Sequence, residues 1–183
     1  MHKKHLGDSY DLVKRFFAQA LGSIATIYAD SRFIPDGIRT DYGKLISIDI
    51  LPENVNHEFA LFLDPDTGIY LPDGAQQNTT RSHTSLDDII KIFGESKPAF
   101  LICYDQAFHR KLGLSKAEQR RQKREYLKTK GLESFYYVSH ACFLFVATEK
   151  DMLQRIASEI RNNGIPPEKL EHGQPNTGDP FQE

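Results

Sequence analysis

Two acidic residues flank a proline in Asp64-Pro65-Asp66-Thr67-Gly68. Proline fixes its own φ and glycine permits a sharp turn, so both carboxylates are held close together. Such a pair suits two chemistries. Asp64 and Asp66 would ligate a divalent cation such as Mg²⁺ or Mn²⁺, which wants hard oxygen ligands and activates water, as in a nuclease or phosphodiesterase. Alternatively, a carboxylate and the carbonyls beside it accept hydrogen bonds from the exocyclic amine of a base. An ordinary turn is the third reading, since Asp, Pro and Gly are the commonest turn formers.

Other candidates lie elsewhere. Asp105 stands four residues before His109. A histidine facing a carboxylate across a cleft serves as general base or proton shuttle. The plainer reading is that Asp105 caps a helix and His109 lies on the surface. Asp8, Asp11 and Lys14 cluster at a helix start, and Asp11 with Lys14 forms an i,i+3 pair of the kind that modestly supports a helix. His57, His83 and His140 share no metal-ligand spacing. His140 interrupts an apolar run, which reads as a core histidine, or as a bulge or tight hairpin.

A basic group follows: Arg110, Arg120, Arg121, Lys123, Arg124 and Lys128. From His109 to Lys130, nine Lys/Arg oppose two Glu, a local +7 that leaves −9 for the rest of a chain of net charge −2. A basic helix on an acidic body orients a polyanion, and its cations would neutralise phosphates. The same run equally suits a solvated face or a protein-partner surface.

The positioning elements follow from periodicity. Leu12, Val13, Phe16, Phe17, Ala20, Leu21, Ile24 and Ile27 recur at helical spacing behind a cap at Asp8 or Ser9. Leu45 to Leu51 reads as a strand with Ile46, Ile48 and Ile50 on one face. Phe59 to Leu63 and Ala99 to Tyr104 are continuous apolar runs, as in strands buried on both faces, and they end in Asp64 and Asp105. Ser85 with Asp88 opens a helix that Gly94 closes, Ser115 with Glu118 opens one that Gly131 stops, and Thr148 with Asp151 opens the last. Alternating strands and helices predict an α/β fold, a mostly parallel sheet flanked by helices in three layers. Ligands of such sheets sit beyond the carboxyl ends of the strands, which is where Asp64 and Asp105 fall. Residues 1–170 form one expected domain, and 171–183 a polar, loose tail.

Three segments together resemble the bacterial ribosomal-RNA adenine-N6 methyltransferases. Gly7-Asp8-Ser9-Tyr10-Asp11-Leu12-Val13-Lys14 is similar to the opening of those enzymes, Phe62-Leu63-Asp64-Pro65-Asp66 to their Asp-Pro-Pro-Tyr strand end, and Leu101-Ile102-Cys103-Tyr104-Asp105 to the following strand. Uncharacterised bacterial proteins with an Asp-Pro-Asp-Asn-Gly motif look closer still. The resemblance implies a methyltransferase-like fold, nucleic acid as partner, S-adenosylmethionine as cofactor, and Asp64 as acceptor for the target amine. Asp66 and Thr67 stand where the family has Pro and a stacking Tyr. No glycine-rich cofactor loop lies between Leu21 and Asp64, so the expectation includes a lost cofactor site.

Composition bounds the rest. Hydrophobic residues are 39% and charged residues 26% of 183, as in globular chains. The two cysteines sit in apolar runs and suggest a reducing, cytoplasmic setting. No stretch approaches the roughly 20 apolar residues of a membrane span.

Overall fold

The computed structural model describes residues 6–71, 80–109 and 113–172. It is an α/β protein. Among the described residues five α-helices, α1 (Ser9–Leu21), α2 (Arg39–Ile46), α3 (Leu86–Glu95), α4 (Lys116–Thr129) and α5 (Lys150–Asn162), flank a seven-stranded sheet. The sheet strands are β1 (Thr26–Ala29), β2 (Asp49–Ile50), β3 (Phe59–Leu63), β6 (Phe100–Tyr104), β7 (Glu133–Tyr137), β8 (Phe143–Ala147) and β9 (Leu170–Glu171), in the order β2-β1-β3-β6-β8-β7-β9. Two short strands outside it, β4 (Gly68–Ile69) and β5 (His83–Thr84), pair with each other. β2, β1, β3 and β6 are mutually parallel, while β8 runs against both β6 and β7, and β9 against β7.

Rings set the two faces. On one, Phe17 of α1 meets Tyr137, Phe143 and Phe145 edge-on, each at 5.2 Å between centroids. Tyr136, the neighbour of Tyr137, points the other way, under Arg120 of α4. This alternation places α1 and α4 on opposite faces. Burying such aromatics fixes each helix against its sheet face, since each ring removes 150 Å² or more from water.

Local signals explain the elements and the departures from them. Asp8 caps α1 through Oδ1, which accepts from the amides of Tyr10 and Asp11. Ser115 and Glu118 form a reciprocal capping box at α4. α1 stops at Leu21, however, and Ile27 belongs to a separate strand, β1. Leu45 and Ile46 end a helix instead of starting a strand. The apolar residues of this region satisfy two periods at once: Ile38, Tyr42 and Ile46 recur every four residues and are all buried, and that helical period prevails over the two-residue period of Ile46, Ile48 and Ile50. Gly94 lies inside the last turn of α3, which runs on to Glu95. The last helix, α5, has Glu149 at its N-cap with no side-chain cap bond. Glu171, expected in the tail, pairs with Tyr136 in the sheet, and the tail from 173 onward lies outside the described residues.

Leu63 stands opposite Cys103, so Asp64 leaves the sheet beside Tyr104 and Asp105 follows one residue further out. Gly68 closes the turn after β3 with φ +139°, in the region that favours glycine, and a Cβ there would fall 2.4 Å from Asp105 Oδ1. Gly68→Ala should therefore destabilise the fold by about 2–4 kcal/mol in chemical denaturation. Gly94→Ala, in a helix with open space around the glycine, should instead stabilise it by about 0.5–1 kcal/mol.

Candidate functional site

The resolved cleft beyond the sheet lies between the first turn of α1 and the turn that leaves β3. It encloses about 370 Å³ and is lined by Asp8, Tyr10, Asp11, Lys14, Asp64, Asp66, Thr67, Ser82 and Tyr104, with Pro65 between the two carboxylates. Three of the expected residues, Asp8, Asp64 and Asp66, thus meet in one cavity. Asp105 and His109 do not line it.

Lys14 organises its floor. Only 5% exposed, it donates to Asp64 Oδ2 at 2.7 Å and to Asp11 Oδ1 at 2.9 Å. Asp11 Oδ2 in turn accepts from the Gly7 amide at 2.7 Å. Burial alone would lower the Lys14 pKa, but Asp64 and then Asp11 outweigh it and hold the ammonium above its ordinary range. Burial likewise pushes the Asp11 carboxyl up, against the pull of Lys14. The i,i+3 pair read as modest helix support is a buried one.

Tyr42 stands behind this group. Its hydroxyl is fully buried, and that burial, with the Asp64 charge next, holds its pKa far above the ordinary phenol value. The pair is close enough for that influence, yet the hydroxyl meets no partner with hydrogen-bond geometry. Rings form the outer wall. Tyr10 packs edge-on to Tyr104 at 5.9 Å and lies 5.6 Å from His140, and the Lys14 ammonium is 5.6 Å from the Tyr104 centroid. His140 is an exposed residue of the β7–β8 turn, so the hairpin reading holds and the core-histidine reading does not.

The Asp64 turn is fastened on its far side. The amides of Asp66 and Thr67 donate to the carbonyls of Arg81 and Ser82, and Gln106 donates to the Thr67 carbonyl. These bonds fix where Asp66 and Thr67 face the cavity.

Asp105 serves the fold. Lys123 of α4, 1% exposed, donates to both its oxygens at 3.0 and 2.7 Å. Tyr136 donates to Oδ2 at 2.7 Å, and the Ile69 amide to Oδ1 at 2.9 Å. The Ala107 amide donates to Oδ1 as well, at 3.3 Å, and with five bonds already made the carboxylate has little left to offer a substrate. His109 follows it in irregular chain, not in a helix, and is held through its backbone by Gln119. It lines a second, smaller cavity with Tyr70, His83 and Phe108. Burial lowers the His83 pKa, and its ring stacks on Tyr70 at 4.4 Å. Cys103 and Cys142 are buried thiols, the latter pushed up to about 12 by burial, which leaves neither as a nucleophile near neutral pH.

The basic helix is largely turned inward. Lys123 holds Asp105, Arg120 and Arg124 both reach Glu171, and Arg121 lies 4.0 Å from Glu125. Lys128 is exposed, and Arg110 lies outside the described residues. A phosphate-binding face made of Arg120, Lys123 and Arg124 is therefore not available. The sequence signal for this was the spacing of Gln119, Lys123 and Leu127, four residues apart and all buried on one helical face.

No protein-family model, curated protein or solved structure matches the chain. No helix is long and apolar enough to cross a membrane among the described residues. Among them, too, no group of three His, Cys, Asp or Glu is placed to hold a metal ion. Asp64 spends one oxygen on the Lys14 ammonium, which leaves at most its other oxygen for a cation. At the end of β1, Asp30 binds Arg32 through both its oxygens and Arg32 reaches on to Asp88 at 2.8 Å.

Asp105→Asn, which strands a buried ammonium, should cost about 3–5 kcal/mol, whereas Tyr42→Phe, which removes an unpaired buried hydroxyl, should leave the melting temperature unchanged or raised. His83, with its pKa lowered in the folded state, contributes stability that is present above the unfolded value and lost as pH falls. His83→Phe, which keeps a ring against Tyr70, should therefore make the fall in melting temperature from about pH 7 to 5 shallower.

Proposed function

We propose that the chain is a methyltransferase-like α/β protein whose cleft binds an amino-bearing planar ring, a nucleobase, and that it holds no methyl donor of its own. One observation carries this reading. The Asp64-Pro65-Asp66 turn opens at the carboxyl end of a parallel strand into a cavity that has acceptors on its floor and rings on its wall. Carboxylates and backbone carbonyls at a strand end accept from an exocyclic amine, and Tyr10 and Tyr104 supply apolar area of the size of a base. The topology supports it, since ligands of open α/β sheets sit at this edge. The resemblance of Phe62-Leu63-Asp64-Pro65-Asp66 to the adenine methyltransferase strand end points the same way.

Lys14 gives Asp64 a defined role in this reading. It holds one carboxylate oxygen and fixes the other's direction, so Asp64 acts as an oriented acceptor and not as a metal ligand. Asp66, half-exposed, is the second acceptor.

The test is a melting screen with adenosine, uridine, S-adenosylmethionine and Mn²⁺. Adenosine at a hundred times its Kd should stabilise the native state by about 2.7 kcal/mol, and Asp66→Asn should weaken that effect. Uridine, which lacks the amine, should do far less, and the other two should do nothing. An absent adenosine shift, or an equal one with uridine, overturns the reading. A Mn²⁺ shift that disappears in Asp64→Asn would establish the metal-dependent alternative in its place.

A further inference from the structure

The second cavity differs in character from the cleft. It encloses about 160 Å³, and among the described residues only Thr67 lines both. Its walls come from three parts of the chain. Ile69 and Tyr70 follow the Asp64 turn, Ala107 and Phe108 follow Asp105, and Gln119 and Lys123 project from α4. Asp105 ties the three together, since it accepts from the Ile69 amide, the Ala107 amide and Lys123 Nζ. The cavity is therefore shaped before any ligand arrives, as small-molecule sites usually are.

Much of its polar lining is spent. Lys123 donates to both oxygens of Asp105 at 3.0 and 2.7 Å. The Gln119 side chain accepts from the His109 amide and donates to the carbonyls of His109 and Leu114. His83 is not spent. One face of its ring stacks on Tyr70, but its ring nitrogens make no hydrogen bond among the described residues. Burial lowers its pKa, so near neutral pH the imidazole is uncharged and offers one donor and one acceptor. His109, the other histidine of the lining, is exposed.

The remaining walls are apolar. Phe108 lines the cavity while 36% exposed, so an occupant would remove ring surface from water. An apolar cavity of roughly 150 Å³ accepts one benzene ring. Among the described residues a charged occupant would meet only an ammonium already neutralised by Asp105, and would lose its hydration without return.

We infer that this cavity is a second binding site, for an uncharged single-ring compound with one hydrogen-bonding group, of the size and polarity of phenol. His83 makes the polar contact, and Ile69, Ala107 and Phe108 make the apolar one. The site stands whether or not the cleft binds a base.

Titrations of the full chain with phenol and with toluene, followed by backbone amide NMR, test it. Phenol should shift the amides of Ile69, Tyr70 and Ala107 saturably, with a Kd of about 1 mM or below. Toluene, which has a methyl in place of the hydroxyl, should bind about fivefold more weakly. In His83→Phe, which keeps a ring against Tyr70, that preference should vanish, and melting curves establish that the variant folds. No saturable phenol shift at those amides overturns the site. Equal binding of phenol and toluene by the native protein, or a phenol preference that survives in folded His83→Phe, overturns the His83 contact and with it the ligand class.

Discussion

Asp64 sits 3% exposed at the end of β3 because Lys14 reaches it from α1. An isolated buried carboxylate costs several kcal/mol, and that cost falls only when a partner charge and further hydrogen bonds surround it. Here the ammonium is shared with Asp11, and Asp11 is bonded in turn to the Gly7 amide. The group therefore does more than neutralise Asp64. It draws the first turn of α1 over the strand end, sets the width of the cleft, and brings Tyr10 against Tyr104. The side of the cleft made by α1 depends on that one contact between distant parts of the chain.

The neighbouring strand repeats the device with a different result. β6 also ends in an aspartate, and Asp105 also takes a buried lysine, but from α4 on the opposite face. Asp105 receives three further donors, Tyr136 and the amides of Ile69 and Ala107, and lies against Gly68 with no room for a side chain. It pins the β4 segment, α4 and β7 to one another. One strand-end aspartate is left with an open cavity in front of it, and the other is enclosed. The difference lies in how many donors reach each, not in the residues themselves.

Much of this was legible in the sequence where one period or one cap stood alone. The apolar runs from Phe59 to Leu63 and from Ala99 to Tyr104 and the Ser115 capping box carry a single local meaning, and the structure keeps it, while of the two caps offered, Asp8 and Ser9, it takes Asp8. Ile46 was ambiguous because two periods passed through it, and tertiary burial of Tyr42 decided for the helix. The charges of α4 misled for another reason. A run of cations reads as solvated unless its partners are known, and Asp105 and Glu171 are 18 and 51 residues away from the cations they hold. The rule for strand ends pointed to Asp64 and Asp105, and of these two only Asp64 lines the cleft. The burial of Lys14 required knowing that α1 lies across β3.

The coupling between Lys14 and Asp64 is therefore the quantity to measure, by a double-mutant cycle of Lys14→Met, Asp64→Asn and the pair, followed by chemical denaturation. A buried, charge-assisted contact that positions the cleft should give a coupling energy of about 2–3 kcal/mol, at the upper end of measured pair energies. A coupling below about 0.5 kcal/mol, the level of independent sites, would contradict the account, because α1 and the Asp64 turn would then be held in place by something other than that lysine.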